Sequence, residues 1–307
     1  MNRHTTRREF LIGAATASLA FGAFPRIASA EESRFSLDYI VGSCMYGELL
    51  LDEVLAEVPK TGASYIDIWP KKHANHREQV EAMGLDAFQD LLDKHHVRLG
   101  MLTHYDLGPF KLQEEMKVLS RFGGKIVISG SRRAKGEDLK ADVKQFLEEM
   151  KPHVAAAEEQ GVIIGIENHG NALIESPDSL RYFADGIDSD HIGIAFAPYH
   201  LPQDPEIIAK LIEDIGPRLV HFYAWEHGLG SHKKMPKVLE MKQLPGYGEL
   251  DFVPILAALK KINYAGWTSI FMHPVPRGIP ILPTAAEVTA AINRSREYLE
   301  DCLDRIR

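Results

Sequence analysis

The sequence is poor in cysteine: only Cys44 and Cys302 occur in 307 residues. A single disulfide is therefore the most that cross-linking could supply. The two lie at opposite ends of the chain, which leaves two readings open. They pair across neighbouring elements in an oxidising compartment, or Cys44 is a buried free thiol. A basic surplus is also missing. The formal net charge is −8, and an acidic surface disfavours nucleic acid, which wants a basic stripe. Beyond residue 30 no apolar run approaches the roughly 20 residues of a membrane-spanning helix. No glycine-rich dinucleotide turn follows an early strand, which weakens an open doubly wound sheet. No internal sequence repeat is evident.

The first thirty residues read as a targeting segment. Arg7-Arg8 is a paired arginine, Leu11–Phe24 is an apolar stretch too short to span a bilayer, and Ala28-Ser29-Ala30 is a small-x-small cleavage site. This order resembles a twin-arginine export signal. It implies a partner, the twin-arginine export machinery, and a periplasmic or exported location. The segment carries four arginines and one glutamate, so residues 31–307 are more acidic than the whole.

Those residues alternate short apolar, β-branched runs with longer periodic ones. Eight candidate strands are Leu37–Ser43, Tyr65–Trp69, Arg98–Thr103, Lys125–Ser129, Val162–Glu167, Ile192–Phe196, Leu219–Tyr223 and Trp267–Met272. Helical patterns lie between them: Leu49–Val58, Leu85–Lys94, Phe110–Phe122, Asp138–Gln160, Pro177–Phe183, Pro205–Glu213, Phe252–Lys261 and Ala285–Ile306. Eight alternations over about 250 residues predict one α/β domain at 31–307, a (β/α)8 TIM barrel. Trp225–Glu249 reads as a long loop, and such loops after barrel strands tend to be functional.

In a barrel the active site faces the C-terminal ends of the strands. Those ends are histidine-rich here: eight of the fourteen histidines fall there. Asp67, Trp69, Lys71, Lys72, His73 and His76 surround the second strand end, and His104 and Tyr105 the third. The fifth ends Glu167-Asn168-His169-Gly170 and the sixth leads to Pro198-Tyr199-His200. The seventh holds His221 and Tyr223, followed by Trp225, Glu226 and His227. The eighth ends near Phe271 and His273. Glu167 closes a strongly apolar run, where a carboxylate is costly unless paired or ligating. Trp225 just past a strand end is placed to offer an aromatic face to a pocket, though Trp69 and Trp225 also read as core aromatics. His73 and His76 read equally as a solvated loop.

The segment Gly165–Gly170, the turn Pro198-Tyr199-His200, the stretch Pro245-Gly246-Tyr247-Gly248-Glu249-Leu250-Asp251-Phe252 and Leu259–Ser269 together resemble the xylose-isomerase-like sugar phosphate isomerase/epimerase superfamily. The resemblance implies one divalent metal held by a glutamate, an aspartate, a histidine and a glutamate on strands five to eight. Glu167 matches the first. Ala197, Tyr223 and Phe271 stand where the others would fall. His200 matches a histidine that contacts substrate. Three readings of this departure are open: the metal is lost; the site is rebuilt from Glu167, His200, His221 and His273, which suits Zn²⁺ better than Mg²⁺; or the ligand positions lie a residue or two from this register.

The resemblance implies an isomerase or epimerase, with a lyase as a variant, that removes a proton next to a sugar carbonyl. Glu167, His200 and His273 would carry the chemistry. His104, Trp69, Lys71, His169, Tyr223, Trp225 and Glu226 would bind the carbohydrate. The alternative is a metal-free carbohydrate-binding protein on the same barrel. A nuclease sharing the barrel is disfavoured, because it needs more carboxylate ligands than are present.

Overall fold

The structure is a computed structural model that describes residues 35–228 and 232–306. The leader expected over residues 1–30 lies outside the described residues. Eight parallel strands close into a barrel in chain order. They are β1 (Asp38–Gly42), β2 (Tyr65–Ile68), β3 (Arg98–Thr103), β4 (Ile126–Gly130), β5 (Ile163–Glu167), β6 (Ile192–Phe196), β7 (Leu219–Ala224) and β8 (Trp267–Ile270). The barrel closes by pairing Asp38 with Trp267 and Tyr39 with Thr268. Side chains alternate between the barrel interior and the helix layer. On β5 this puts Gly165 beneath Glu167 inside the barrel, where a Cβ would sit 3.1 Å from Ile128 Cγ1.

The helices are α1 (Leu51–Glu57), α2 (His76–Met83), α3 (Leu85–His95), α4 (Gln113–Arg121), α5 (Leu139–Gln160), α6 (Pro177–Gly186), α7 (Pro205–Ile215), α8 (Lys237–Glu240), α9 (Phe252–Lys261) and α10 (Ala285–Asp304). Their ends follow local chemistry. Asp138 Oδ1 accepts the Ala141 N–H at 3.0 Å, and Gly161, in the left-handed region, closes the same helix. Ser176 with Ser179 and Thr284 with Glu287 form capping boxes on α6 and α10.

Four sequence expectations shift. The helix expected at Phe110–Phe122 begins at Gln113, because residues 105–112 turn over the barrel mouth first. Helix α2, absent from the expectation, buries only His76 and Val80 and so carries no apolar stripe to read. The Trp225–Glu249 loop contains α8 and a short 3₁₀ turn at Met241–Gln243. Strand β8 ends at Ile270, although the Phe271 N–H still donates to Ala224 O at 3.3 Å. Cys44 and Cys302 are both buried free thiols, so the disulfide reading is set aside. No described helix is long and apolar enough to cross a membrane.

Candidate active site

A cavity of about 770 Å³ opens at the C-terminal end of the barrel. Glu167, His169, His200, Trp225, His273 and Arg277 are among its lining residues. Glu167, at the tip of β5, is 3% exposed. Burial pushes its carboxyl up to about 8, with His169 opposing weakly. His200 sits on a 3₁₀ turn, Pro198–His200, that follows β6. Asn168 ties this turn to β5: its Nδ2 donates to Ala197 O at 2.9 Å and its Oδ1 accepts the Ala197 N–H at 2.7 Å. The clamp places His200 Nε2 at 3.5 Å from Glu167 Oε1. The Gly170 N–H donates to His200 Nδ1 at 3.3 Å. In a neutral ring that leaves the proton on Nε2, on the side of Glu167. Burial, then the charges of His232 and His227, hold His200 down to about 3.

The facing wall comes from β2 and β8. His273 stacks on His73 with ring centroids 4.6 Å apart. His273 lies well below the usual imidazole range and His73 at about 4, burial being the main cause for both. Both rings are therefore neutral near pH 7. His273 Nδ1 is buried without a hydrogen-bond partner. Gln243, which sequence reasoning missed, ties the Trp225 ring to the backbone at His273. Its Oε1 accepts from Trp225 Nε1 at 3.1 Å and its Nε2 donates to His273 O at 2.9 Å.

Beneath the cavity lies a plug of rings centred on Phe271, itself 1% exposed. Phe271 contacts Trp69 at 5.4 Å, Tyr223 at 4.9 Å, Trp225 at 5.0 Å and His273 at 4.8 Å between centroids. Asp67 is buried below it. It accepts from Trp69 Nε1 at 2.6 Å and from Thr103 Oγ1 at 2.8 Å, and burial raises its carboxyl to about 7.

Of the residues expected to act, Glu167, His169, His200, Trp225 and His273 line the cavity together. The others stand elsewhere. Trp69 and Tyr223 belong to the ring plug below. Lys71 is exposed, and its neighbour Lys72 lines the cavity instead. His104 turns toward Glu115, with Nδ1 3.4 Å from Oε1. Glu226 turns away too: its Oε2 accepts the Leu250 N–H at 2.9 Å, and a Cβ on Gly248 would collide with its carboxylate. The Gly-Tyr-Gly turn is thus the cradle of a buried carboxyl that burial raises to about 7.

The metal set read from Glu167, His200, His221 and His273 is not assembled. His221 is fully buried in the barrel with its ring 4.4 Å from Tyr223, and His273 faces His73. Among the described residues no group of three His, Cys, Asp or Glu side chains is placed to hold a metal. Apolar Ala197 and Phe271 supply no donors where the resemblance places an aspartate and a glutamate. The residues present therefore do not fit the implied metal.

Known proteins extend this picture. A stretch of 122 residues, 38% of this chain and 39% of the relative, is 31% identical to an uncharacterized protein of Methanocaldococcus jannaschii. Another of 132 residues, 42% of this chain and 40% of the relative, is 26% identical to the D-psicose 3-epimerase of Enterocloster bolteae. The matches thus span about two fifths of these relatives. Among solved structures, the IolI protein with a bound zinc atom superposes with a TM-score of 0.65 at 18% identity, over 88% of this chain and 99% of that one. D-psicose 3-epimerase from Clostridium cellulolyticum H10 with D-tagatose gives 0.65 at 15%, over 87% and 99%. At these identities the structures show the shared barrel. The family model for the xylose isomerase-like TIM barrel matches residues 55–302, and the chain belongs to that family.

Proposed function

We propose that this protein is a sugar isomerase or epimerase that moves a proton next to a carbonyl without a divalent metal. The observation that carries the reading is one cavity with a buried carboxyl of raised pKa on one wall and neutral imidazoles on the other. The relative named as a D-psicose 3-epimerase supports the substrate class. Glu167 is the base: a carboxyl near 8 is about a tenth ionised at pH 7 and basic enough to take a carbon-bound proton. His200 directs Nε2–H to the same side, and neutral His273 hydrogen-bonds the carbonyl oxygen opposite. A neutral imidazole can polarise that oxygen and pass hydroxyl protons between adjacent oxygens. Trp225 offers an aromatic face to the ring. Exchange of the carbon-bound hydrogen in D2O, followed by NMR over a panel of aldoses and ketoses, tests this. Binding without exchange for every sugar would favour the metal-free binding protein.

Metal content gives a second test. Protein purified near neutral pH without chelator is expected to carry no stoichiometric divalent metal, and EDTA to leave turnover unchanged. Zinc held by imidazoles ranks next, with affinity falling as those rings protonate. Stoichiometric Mg²⁺ or Mn²⁺ would show that carboxylates converge where Ala197 and Phe271 are placed here.

Export rests on residues 1–30 of the sequence. With Arg7 and Arg8 both changed to Lys, uncleaved precursor is expected to accumulate in the cytoplasm. A double variant that is still cleaved near Ala30 and recovered outside the cytoplasm would sink the twin-arginine reading.

A further inference from the structure

An imidazole that acts in a site is commonly oriented by a hydrogen bond on its second nitrogen, from a carboxylate or a backbone carbonyl. His273 has no such bond at Nδ1, which is buried without a partner. What surrounds the ring is aromatic. His273 stacks on His73 with centroids 4.6 Å apart. The indole of Trp69 meets both members of that pair at a steep angle. It stands 5.6 Å from His273 at 80° and 5.4 Å from His73 at 73°. The direction in which His273 presents its N–H therefore depends on how the indole is turned.

The turn of the indole is set from inside the barrel. Trp69 is 1% exposed, and its backbone N–H donates to Ser43 Oγ at 3.0 Å. Its Nε1–H donates to Asp67 Oδ2 at 2.6 Å. Asp67 is fully buried, and the Thr103 hydroxyl of β3 holds it across both carboxyl oxygens, at 2.8 Å from Oδ2 and 3.0 Å from Oδ1. On its other side Asp67 pairs in register with Gly42 of β1. A Cβ on Gly42 would stand 3.4 Å from the Phe271 ring, so that position is small where the plug needs room. Ionised or protonated, the carboxyl keeps an acceptor oxygen for the indole. Neither Asp67 nor Trp69 lines the cavity, so neither touches a ligand there.

We infer that Asp67 is a positioning residue for the proposed proton transfer: through the Trp69 indole it sets the orientation in which His273, backed by His73, presents its N–H to the carbonyl oxygen. The inference rests on reading the cavity as the site of a sugar isomerase or epimerase. The link carries position alone. An indole nitrogen only donates, so no proton passes from Asp67 to the imidazoles along it. Breaking the bond leaves a buried indole N–H unpaired, and the ring gains by turning toward another acceptor.

Heteronuclear NMR of the histidine side chains, with hydrogen exchange over the same sugar panel, tests it on the full chain and on Asp67→Leu, Trp69→Phe and Asp67→Asn. The first two variants remove the indole–carboxyl bond from opposite ends. Each is expected to displace the ring signals of His273 and His73, identified by their loss in His273→Gln and His73→Gln. Each should also lower kcat about tenfold, the value of one buried hydrogen bond. KM should stay nearly constant, because the His273 donor gains strength only on the way to the transition state. Asp67→Asn keeps an oxygen for Nε1, with Thr103 Oγ1 free to accept from the new amide, and is expected to restore both ring signals and most of kcat. Ring signals that stay in place in Asp67→Leu overturn the inference, as does an equal loss of kcat in the leucine and asparagine variants. Should Asp67→Leu fail to fold, unmoved imidazoles in Trp69→Phe overturn it instead. Turnover by the native protein with imidazoles unmoved in the variants sinks this inference alone. Displaced imidazoles in a protein that exchanges no hydrogen on any sugar sink the proposed activity and leave Asp67 as the anchor of the pair.

Discussion

Glu167→Gln is expected to abolish turnover, lowering kcat by about 10²–10⁴-fold, the usual contribution of a positioned base. The substitution keeps the shape of the side chain and removes its ability to take a proton. The pH profile gives the sharper readout. The base form is the ionised carboxylate, and burial holds the carboxyl up to about 8. The rate of the native enzyme should therefore climb with pH through that value and then level. No second limb is expected from the imidazoles between pH 5 and 8, because burial holds His73 at about 4 and His200 at about 3. Residual activity of the glutamine variant should lack the rise. Stability should move the other way. The folded-state value lies above the ordinary 4.5, so the native state holds this proton more tightly than the unfolded chain. That stabilisation is whole below pH 4.5 and is lost as pH rises through about 8. The variant should melt near the native protein at pH 5 and above it at pH 9. A lower midpoint at both pH values with turnover intact would mark Glu167 as a structural residue.

The barrel was legible because strands of a doubly covered parallel sheet are short apolar β-branched runs, and each of the eight stood out between helical periods. All eight lie within two residues of their expected bounds. Glu167 was legible for the same reason: Val162–Ile166 is apolar, and an acid at its end has no solvent to face. What the pattern could not give is competition between distant partners. Glu226 follows Trp225 just past a strand, which reads as a cavity position, but the backbone N–H groups at 248–250 take its carboxylate. Phe271 was visible as an apolar residue in a ligand position. That it gathers Trp69, Tyr223 and Trp225 into a plug depends on ring contacts between strands far apart in sequence. Gln243 lies in a long connection with no periodicity, so its role rests on the loop it fastens.

His273→Ala, set beside His273→Gln, should separate chemistry from binding. In the proposed reaction His273 stays neutral and donates its N–H to the carbonyl oxygen on which negative charge develops. Losing one such donor typically lowers kcat by about 10²–10³-fold. The charge is small before the proton leaves carbon, so KM should change little; the interaction strengthens only on the way to the transition state. The pH midpoint should stay where Glu167 sets it, since burial keeps His273 well below the usual imidazole range and it does not titrate in the working interval. Glutamine retains an N–H donor and much of the packing against His73, Trp225 and Phe271. It should therefore fold and keep a fraction of the activity that His273→Ala loses. Removing the ring also relieves a buried imidazole that has no partner for Nδ1, so neither variant should melt far below the native protein. Equal loss in both variants with a raised KM would assign His273 to holding the sugar. A pH midpoint displaced toward 6.5 in the native enzyme would show that an imidazole, rather than the carboxyl of Glu167, takes the proton from carbon.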